Sequence, residues 1–147
     1  MSHRLRTGLL ADRPALLDML REHHAEEWAD IPLAEEKIDF LVLDALRNGI
    51  VILGQTEEGE IAGSIGLAPS EYSFSREIIL IDHWTYVRAG HRRSRLFVEM
   101  LGRAKAFSDR SGVPLVMALT SRSGTNRKAR AYSRYLKPAG QWFTHGL

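Results

Sequence analysis

Three arginines stand where a predicted strand gives way to a predicted helix. Arg92, Arg93 and Arg95 follow an apolar run that ends at Val87, and a helical pattern of apolar residues begins directly after them. The first backbone amides of a helix lack partners within it and lie at the positive end of the helix dipole. Guanidinium groups beside them would add charge-assisted hydrogen bonds to a phosphate. The spacing therefore predicts a phosphate site, with a solvated basic turn as the alternative.

The composition limits the chemistry open to this chain. Its 147 residues are 44% hydrophobic and 26% charged, as in one soluble globular domain, so we expect a single domain over 1–147. The absence of cysteine excludes disulfides, thiolate metal sites and a cysteine nucleophile. The formal net charge is only +2, but most acids lie in 1–72 and most arginines in 87–137. This asymmetry predicts an anionic partner for the second half, either a phosphorylated cofactor or nucleic acid.

Neither a targeting segment nor a membrane segment is evident in the sequence. The first residues lack the continuous apolar stretch of a signal peptide, and no segment approaches the roughly 20 apolar residues of a membrane span. We therefore expect a cytoplasmic protein without membrane contact.

Apolar periodicity predicts the elements that would position the arginines. In chain order these are a strand at 3–10, helices at 13–28 and 31–48, strands at 50–56, 60–70 and 76–87, a helix from about 93 to 111, a strand at 113–121, a helix at 125–136 and a final strand at 140–147. Asp12 is expected to cap the first helix, and Gly49 to close the second in a left-handed conformation.

This order, with the residues of the arginine turn, resembles the GNAT acyltransferases. Members of that family carry Arg/Gln-x-x-Gly-x-Gly/Ala between the fourth strand and the third helix, and Arg92 matches its first position. Arg95 and Phe97 occupy the two glycine positions. The segment NRKARAYSRYL is similar to the family's Asn-x-x-Ala followed by Tyr, through Asn126 and Ala129. The Arg-Arg-Ser run and the Tyr-x-Arg segment also resemble members encoded in phages and prophages.

The resemblance implies a fold, a cofactor and a reaction. The fold class would be α/β or α+β, with a mixed, mostly antiparallel central sheet flanked by about four helices. The protein would be an N-acetyltransferase that transfers an acetyl group from acetyl-CoA to an unknown amine acceptor. Because there is no cysteine, direct attack in a ternary complex is favoured over a covalent enzyme intermediate. The implied cofactor-binding residues are Val87, Arg92, Arg93, Ser94, Arg95, Leu96 and Asn126.

The resemblance also implies three catalytic groups. Val87 matches the strand end whose backbone amide would donate to the oxyanion. Tyr132, or alternatively Tyr135, would protonate the departing thiolate. Asp82 or His83 would accept the proton of the amine, because both lie in the strand where the family keeps such a base. Side chains alternate along a strand, so only one of these two is expected to point toward the cleft.

Other interpretations remain open at this point. The arginines at 92–95 and 122–137 could belong to a nucleic-acid-binding module, or the chain could be a GNAT-like protein without catalysis. Acids in the first two helices could attract a cationic amine, although a solvated face is the alternative. A last strand bearing Trp142 and Phe143 could support a homodimer. His23 and Glu27 lie four residues apart, but without an evident third ligand we expect no metal site.

Overall fold

A computed structural model describes residues 2–122, 124–141 and 143–146. Within them lie five strands and four α-helices, besides two short 3₁₀ turns at Leu10–Asp12 and Ala89–His91. In chain order they are β1 (Arg4–Thr7), α1 (Arg13–Glu27), α2 (Glu35–Asn48), β2 (Ile50–Gln55), β3 (Ile61–Glu71), β4 (Ile78–Val87), α3 (Leu96–Ser111), β5 (Leu115–Val116) and α4 (Thr125–Tyr132).

The five strands form one sheet in the order β1-β2-β3-β4-β5. The first four are antiparallel to their neighbours, and β5 alone runs parallel to β4, with Leu80 opposite Leu115 and Ile81 opposite Val116. This mixed, mostly antiparallel sheet with four helices confirms the predicted fold class.

Apolar side chains cover both faces of the sheet. Helices α1 and α2 pack on one face, where Trp84 and Tyr86 join their buried residues. Helix α3 packs on the other face, with Val87, Leu96 and Met100. Burial on both sides explains why β3 reads as a nearly continuous apolar run rather than an alternating one.

The long strand β4 contains a β-bulge at His83. Gly66 of β3 faces Trp84, whereas the next residue, Leu67, faces Asp82, so His83 has no partner on β3. Gly66 has no side chain because a Cβ there would lie 2.3 Å from the Trp84 ring. The bulge therefore reverses which face of the sheet even-numbered and odd-numbered residues of β4 occupy.

Gly49 ends α2, but not in the predicted left-handed conformation. Its φ is −126°, which is outside the left-handed region. Glycine is needed there for space, because a Cβ would lie 1.8 Å from the carbonyl oxygen of Leu67. The predicted left-handed cap was therefore wrong, because glycine is required at this position by the neighbouring strand and not by its backbone conformation.

Asp12 precedes α1 as predicted, but its carboxylate binds other groups than the helix amides. It accepts hydrogen bonds from the Arg6 guanidinium at 2.7 and 2.8 Å and from the Leu9 backbone N–H at 2.7 Å. It therefore fastens the end of β1 to the turn before α1.

The last part of the chain differs most from the prediction. The strand expected at 113–121 is reduced to the two residues of β5, and the described residues of 140–147 form no strand. Trp142 lies outside the described residues and the Phe143 side chain is exposed, so the homodimer stays a prediction. No helix in the described part of the chain is both long and apolar enough to cross a bilayer.

Candidate active site

The sheet opens into a cleft where β4 and β5 separate. Their pairing ends at Ile81 and Val116, because the next amide on the β5 side, that of Ala118, bonds to the Asp82 carboxylate instead of to the β4 backbone. A cavity of about 760 Å³ lies in this gap, walled by α1, β4, the start of α3, the segment after β5 and α4. This volume is in the range of sites for small molecules and cofactors.

The edge of β4 that faces the gap carries a backbone donor at Val87. The N–H of Arg88 donates to the carbonyl of Ala62 on β3 at 2.9 Å. Because neighbouring residues of a strand point their backbone groups to opposite edges, the N–H of Val87 is directed toward the cleft. This is the orientation that the oxyanion prediction for Val87 requires.

Asp82 lies on the side of the cleft that faces α4. One carboxylate oxygen accepts the Ala118 N–H at 3.0 Å, and the other accepts the Thr85 hydroxyl at 3.3 Å. Burial raises the pKa of Asp82, although these hydrogen bonds oppose the shift. Both oxygens already serve protein donors.

Tyr132 reaches the same side of the cleft from α4. Its ring packs edge-on against Phe97, with centroids 5.6 Å apart and planes at 88°. Burial, followed by the charge of Asp82, raises the pKa of the phenol, so the hydroxyl keeps its proton at neutral pH. Tyr135 instead packs beside Gly102 of α3. Of the two candidate tyrosines, Tyr132 is therefore the one that lines the cleft.

His83 reaches the cleft from the other side, facing α2. Its Nε2 lies 2.8 Å from Oδ2 of Asp44, and Asn48 donates to Oδ1 of the same carboxylate at 2.8 Å. Strand alternation predicted that only one of Asp82 and His83 would point to the cleft. The two side chains do lie on opposite faces of the sheet, and both residues are among those that line the cavity at the edge of β4.

Arg92 is held by the protein. Its Nε donates to the carbonyl of Val87 at 2.8 Å, and its two terminal nitrogens contact the Glu26 carboxylate. Glu26 also accepts the Tyr86 hydroxyl at 2.9 Å. Arg92 lowers the pKa of Glu26, while burial and then Glu26 raise the pKa of Tyr86 to about 12. The guanidinium predicted to lead the phosphate clamp thus ties α1 to the end of β4.

Arg93 and Arg95 remain open to solvent, beside a second cavity of about 430 Å³ at the start of α3. The Arg95 side chain is 87% exposed. Its φ is −82°, so this position does not require glycine for its backbone conformation. Ser94 accepts the Leu96 N–H at 3.2 Å and donates to the His91 carbonyl at 2.6 Å.

The structure places three further residues of these motifs. The Leu96 side chain is fully buried in the core below α3, so only its backbone is available to a cofactor, and its assignment stays a prediction. Phe97, in the second glycine position, lines the main cleft. Asn126 is exposed in the first turn of α4. The cleft is lined from that helix by Arg127, Lys128, Arg130, Ala131 and Tyr132.

His23 is a cleft residue that the sequence did not identify as such. Its ring stacks on Tyr86 with centroids 4.7 Å apart and planes at 13°, and burial lowers its pKa. The sequence offered only its spacing from Glu27, from which no metal site was expected because no third ligand was evident. Among the described residues no group of three or more potential ligands could hold a metal ion.

The acids of the first two helices and of the segment between them are largely paired with bases. Glu26 binds Arg92, Asp30 binds Arg122 and Glu35 binds Arg21, while Glu27 lies 3.6 Å from Lys128. Their attraction for a cationic acceptor is reduced accordingly.

Arg122 joins the segment after β5 to the end of α1. Its backbone N–H donates to Glu27 at 3.0 Å, and its guanidinium binds Asp30 at 2.6 Å while lying 4.1 Å above the Trp28 ring. These contacts hold one rim of the cleft against α1.

No protein-family model matches the sequence, and no curated protein matches it. Solved structures are similar in fold. A predicted acetyltransferase from Clostridium acetobutylicum, solved with acetyl-CoA, has a TM-score of 0.75 at 12% identity, covering 99% of this chain and 96% of that one. A ribosomal-protein-alanine N-acetyltransferase from Brucella melitensis biovar Abortus 2308 has a TM-score of 0.72 at 14% identity, covering 100% and 99%.

A third similar structure is an aminoglycoside acetyltransferase from an uncultured soil metagenomic sample. Its TM-score is 0.67 at 16% identity, with 99% of this chain and 94% of that one covered. At such identities the likeness concerns the fold, and it extends over nearly the whole length of each chain. The chain therefore has the fold of the GNAT acetyltransferases.

Proposed function

We propose that this protein is an N-acetyltransferase that moves an acetyl group from acetyl-CoA to an amine in a ternary complex. The observation that carries the proposal is the gap between β4 and β5, which receives His83 from one face of the sheet and Asp82 and Tyr132 from the other. Two substrates could therefore approach from opposite sides and meet at the β4 edge. The fold shared with named acetyltransferases supports this assignment.

The residues at the start of α3 fit the phosphates of acetyl-CoA. The first helical amides, such as those of Phe97 and Val98, have no acceptor within the helix, and Arg93 and Arg95 stand beside them with exposed guanidinium groups. We assign the pyrophosphate to this turn, with Ser94 shaping it and Arg92 acting through its contacts with Glu26 and Val87. When bound, the coenzyme supplies an activated thioester carbonyl.

Three protein groups would then act on the reaction. The Val87 N–H donates to the oxygen on which negative charge develops. His83 holds the proton released by the amine, because its Nδ1 has no protein partner among the described residues, whereas both oxygens of Asp82 are engaged. The Tyr132 hydroxyl supplies a proton to the departing sulfur, and the neighbouring charge of Asp82 favours the protonated phenol.

Binding of acetyl-CoA is the first test, by calorimetry and by thermal shift. We expect saturable heat and a rise in melting temperature that grows with ligand concentration. The double variant Arg93→Gln, Arg95→Gln should weaken binding by roughly 10- to 100-fold, because two charge-assisted contacts to phosphate are lost. Arg103→Gln with Arg110→Gln is the matched control, since both arginines are exposed on α3 beyond its first turn.

The outcomes separate the competing functions. Absence of heat with acetyl-CoA would overturn the proposal. Binding of acetyl-CoA without turnover on any amine of a broad panel would favour a GNAT-like protein without catalysis. The bulky Phe97 in a position where the family has glycine is the specific reason to consider that alternative. Tight, strongly salt-dependent binding of nucleic acid that coenzyme A does not displace would favour the nucleic-acid module.

A further inference from the structure

A hydrogen-bonded chain of three side chains runs from α2 to the cleft. Asn48 and Asp44 lie one turn apart on α2, and the Asn48 amide donates to Asp44 Oδ1 at 2.8 Å. Oδ2 of the same carboxylate lies 2.8 Å from Nε2 of His83. Exposed fractions are small, 21% for the Asp44 side chain and 12% for that of His83, so water competes weakly for these contacts.

The chemistry of Asp44 decides which nitrogen of His83 carries the proton. Hydrogen bonds from Asn48 and then His83 lower the pKa of Asp44, so the carboxylate is ionised at neutral pH and can only accept. The Nε2 of His83 must then be the donor. In neutral imidazole the other nitrogen, Nδ1, carries the lone pair.

The lone pair of Nδ1 is open to a partner from outside the protein. Among the described residues, no buried side-chain nitrogen or oxygen lacks a hydrogen-bond partner. Nδ1 of His83 has no partner there, so it is not enclosed by protein. Because His83 is one of the residues that line the cavity between β4 and β5, we infer that this nitrogen is reached from the cleft.

We propose that Asp44, held in place by Asn48, is a positioning residue that fixes His83 as the Nε2–H tautomer and presents Nδ1 to the acceptor amine. This inference rests on the proposed function. When the amine nitrogen bonds to the acyl carbon, its proton moves to Nδ1, and the imidazolium then carries both protons. Asp44 stays ionised and stabilises that cation without taking the proton.

Other charged groups face this region. Asp82 neighbours His83 on β4, His23 lines the same cleft from α1, and Lys128 of α4 acts on His23. None of them is hydrogen-bonded to the His83 ring in the described residues. Replacement of Asp44 therefore tests the effect of a hydrogen-bonded carboxylate on the His83 imidazole.

The kinetic test compares Asp44→Asn with Asp39→Asn. Asp39 lies on the same helix and loses a more exposed ion pair, to Arg13, when it is changed. We expect Asp44→Asn to lower kcat roughly 10- to 100-fold, as part of what a general base contributes. Acetyl-CoA affinity should stay within about twofold in both variants, as α2 is remote from the phosphate turn.

The second test does not use acetyl transfer. Long-range ¹H–¹⁵N spectra of the ¹⁵N-labelled wild-type protein at pH 8 should show His83 as the Nε2–H tautomer, assigned with His83→Gln. Asn48→Ala should keep this tautomer with reduced population, and Asp44→Asn should lose it. A wild-type Nδ1–H tautomer would overturn the inference even if Asp44→Asn failed to fold.

The two hypotheses fail in different ways. An active wild type whose kcat is unchanged in Asp44→Asn would overturn the role of Asp44 alone. A wild type with the Nε2–H tautomer but no turnover on any amine would contradict the proposed function alone.

Discussion

Tyr132 shows how its surroundings set the position and the protonation state of one side chain. Phe97 holds its ring, and burial with the Asp82 charge keeps its hydroxyl protonated. The sequence identified Tyr132 and Tyr135 as alternatives because both lie on the basic helix. Their separation came from the fold, since only the packing of α4 against α3 determines which ring faces the cleft and which covers Gly102.

Replacement of this hydroxyl should affect turnover much more than binding. We expect Tyr132→Phe to lower kcat by roughly 10- to 100-fold, because a proton donor to sulfur is removed while the ring and its packing remain. The acetyl-CoA thermal shift should be nearly unchanged. Tyr135→Phe is the control and should retain wild-type turnover. Equal turnover in Tyr132→Phe and Tyr135→Phe would assign the proton to another donor, such as water.

At the scale of elements, the apolar periodicity of the sequence predicted most strands and helices, but it did not reveal the contacts between strands. The apolar patterns predicted β2, β3, β4 and the stripe of α3, because those elements bury whole faces. The bulge at His83 depends on the pairing of β4 with β3, which one strand's pattern does not encode. The same reason applies to Gly49. The carbonyl oxygen that leaves no room for a Cβ there belongs to Leu67, eighteen residues further along the chain.

Gly49 gives a direct test of that contact. Gly49→Ala should lower the free energy of unfolding by roughly 2–3 kcal/mol, because its Cβ would overlap a backbone carbonyl that the β2–β3–β4 pairing holds in place. Gly90→Ala is the matched control, since a Cβ there would meet nothing within 4 Å. Urea denaturation of both variants measures the difference. Equal stabilities would show that the junction between α2 and β3 can move apart at little cost.

At the scale of the whole molecule, burial is uneven. Eight successive residues of β3 are buried, whereas α4 has no fully buried residue. Helix α4 is fastened mainly through Tyr132, Lys128 and the Arg122 contacts with α1. The part of the cleft wall formed by α4 is therefore less firmly packed than the central strand β3.

Hydrogen exchange should show this difference. Amides of β3 and β4 are expected to exchange only through global unfolding, while those of α4 exchange much faster. Saturating acetyl-CoA should slow exchange in α4 and in the turn before α3, with little change in β1, because bound ligand adds contacts only at the cleft. Fast exchange in α4 that acetyl-CoA leaves unchanged would place the ligand elsewhere.

The bulge at His83 has a consequence for how such a protein can evolve. If His83 were absent, Trp84 would follow Asp82 directly. The side chains from Asp82 to Val87 would then alternate between the two faces of the sheet, as in a strand paired regularly with β3. Loss or gain of a single codon would thus remove or create the imidazole while every neighbour kept its side of the sheet. If His83 is the proton acceptor, as proposed, this group can be gained or lost without redesign of the sheet that carries it.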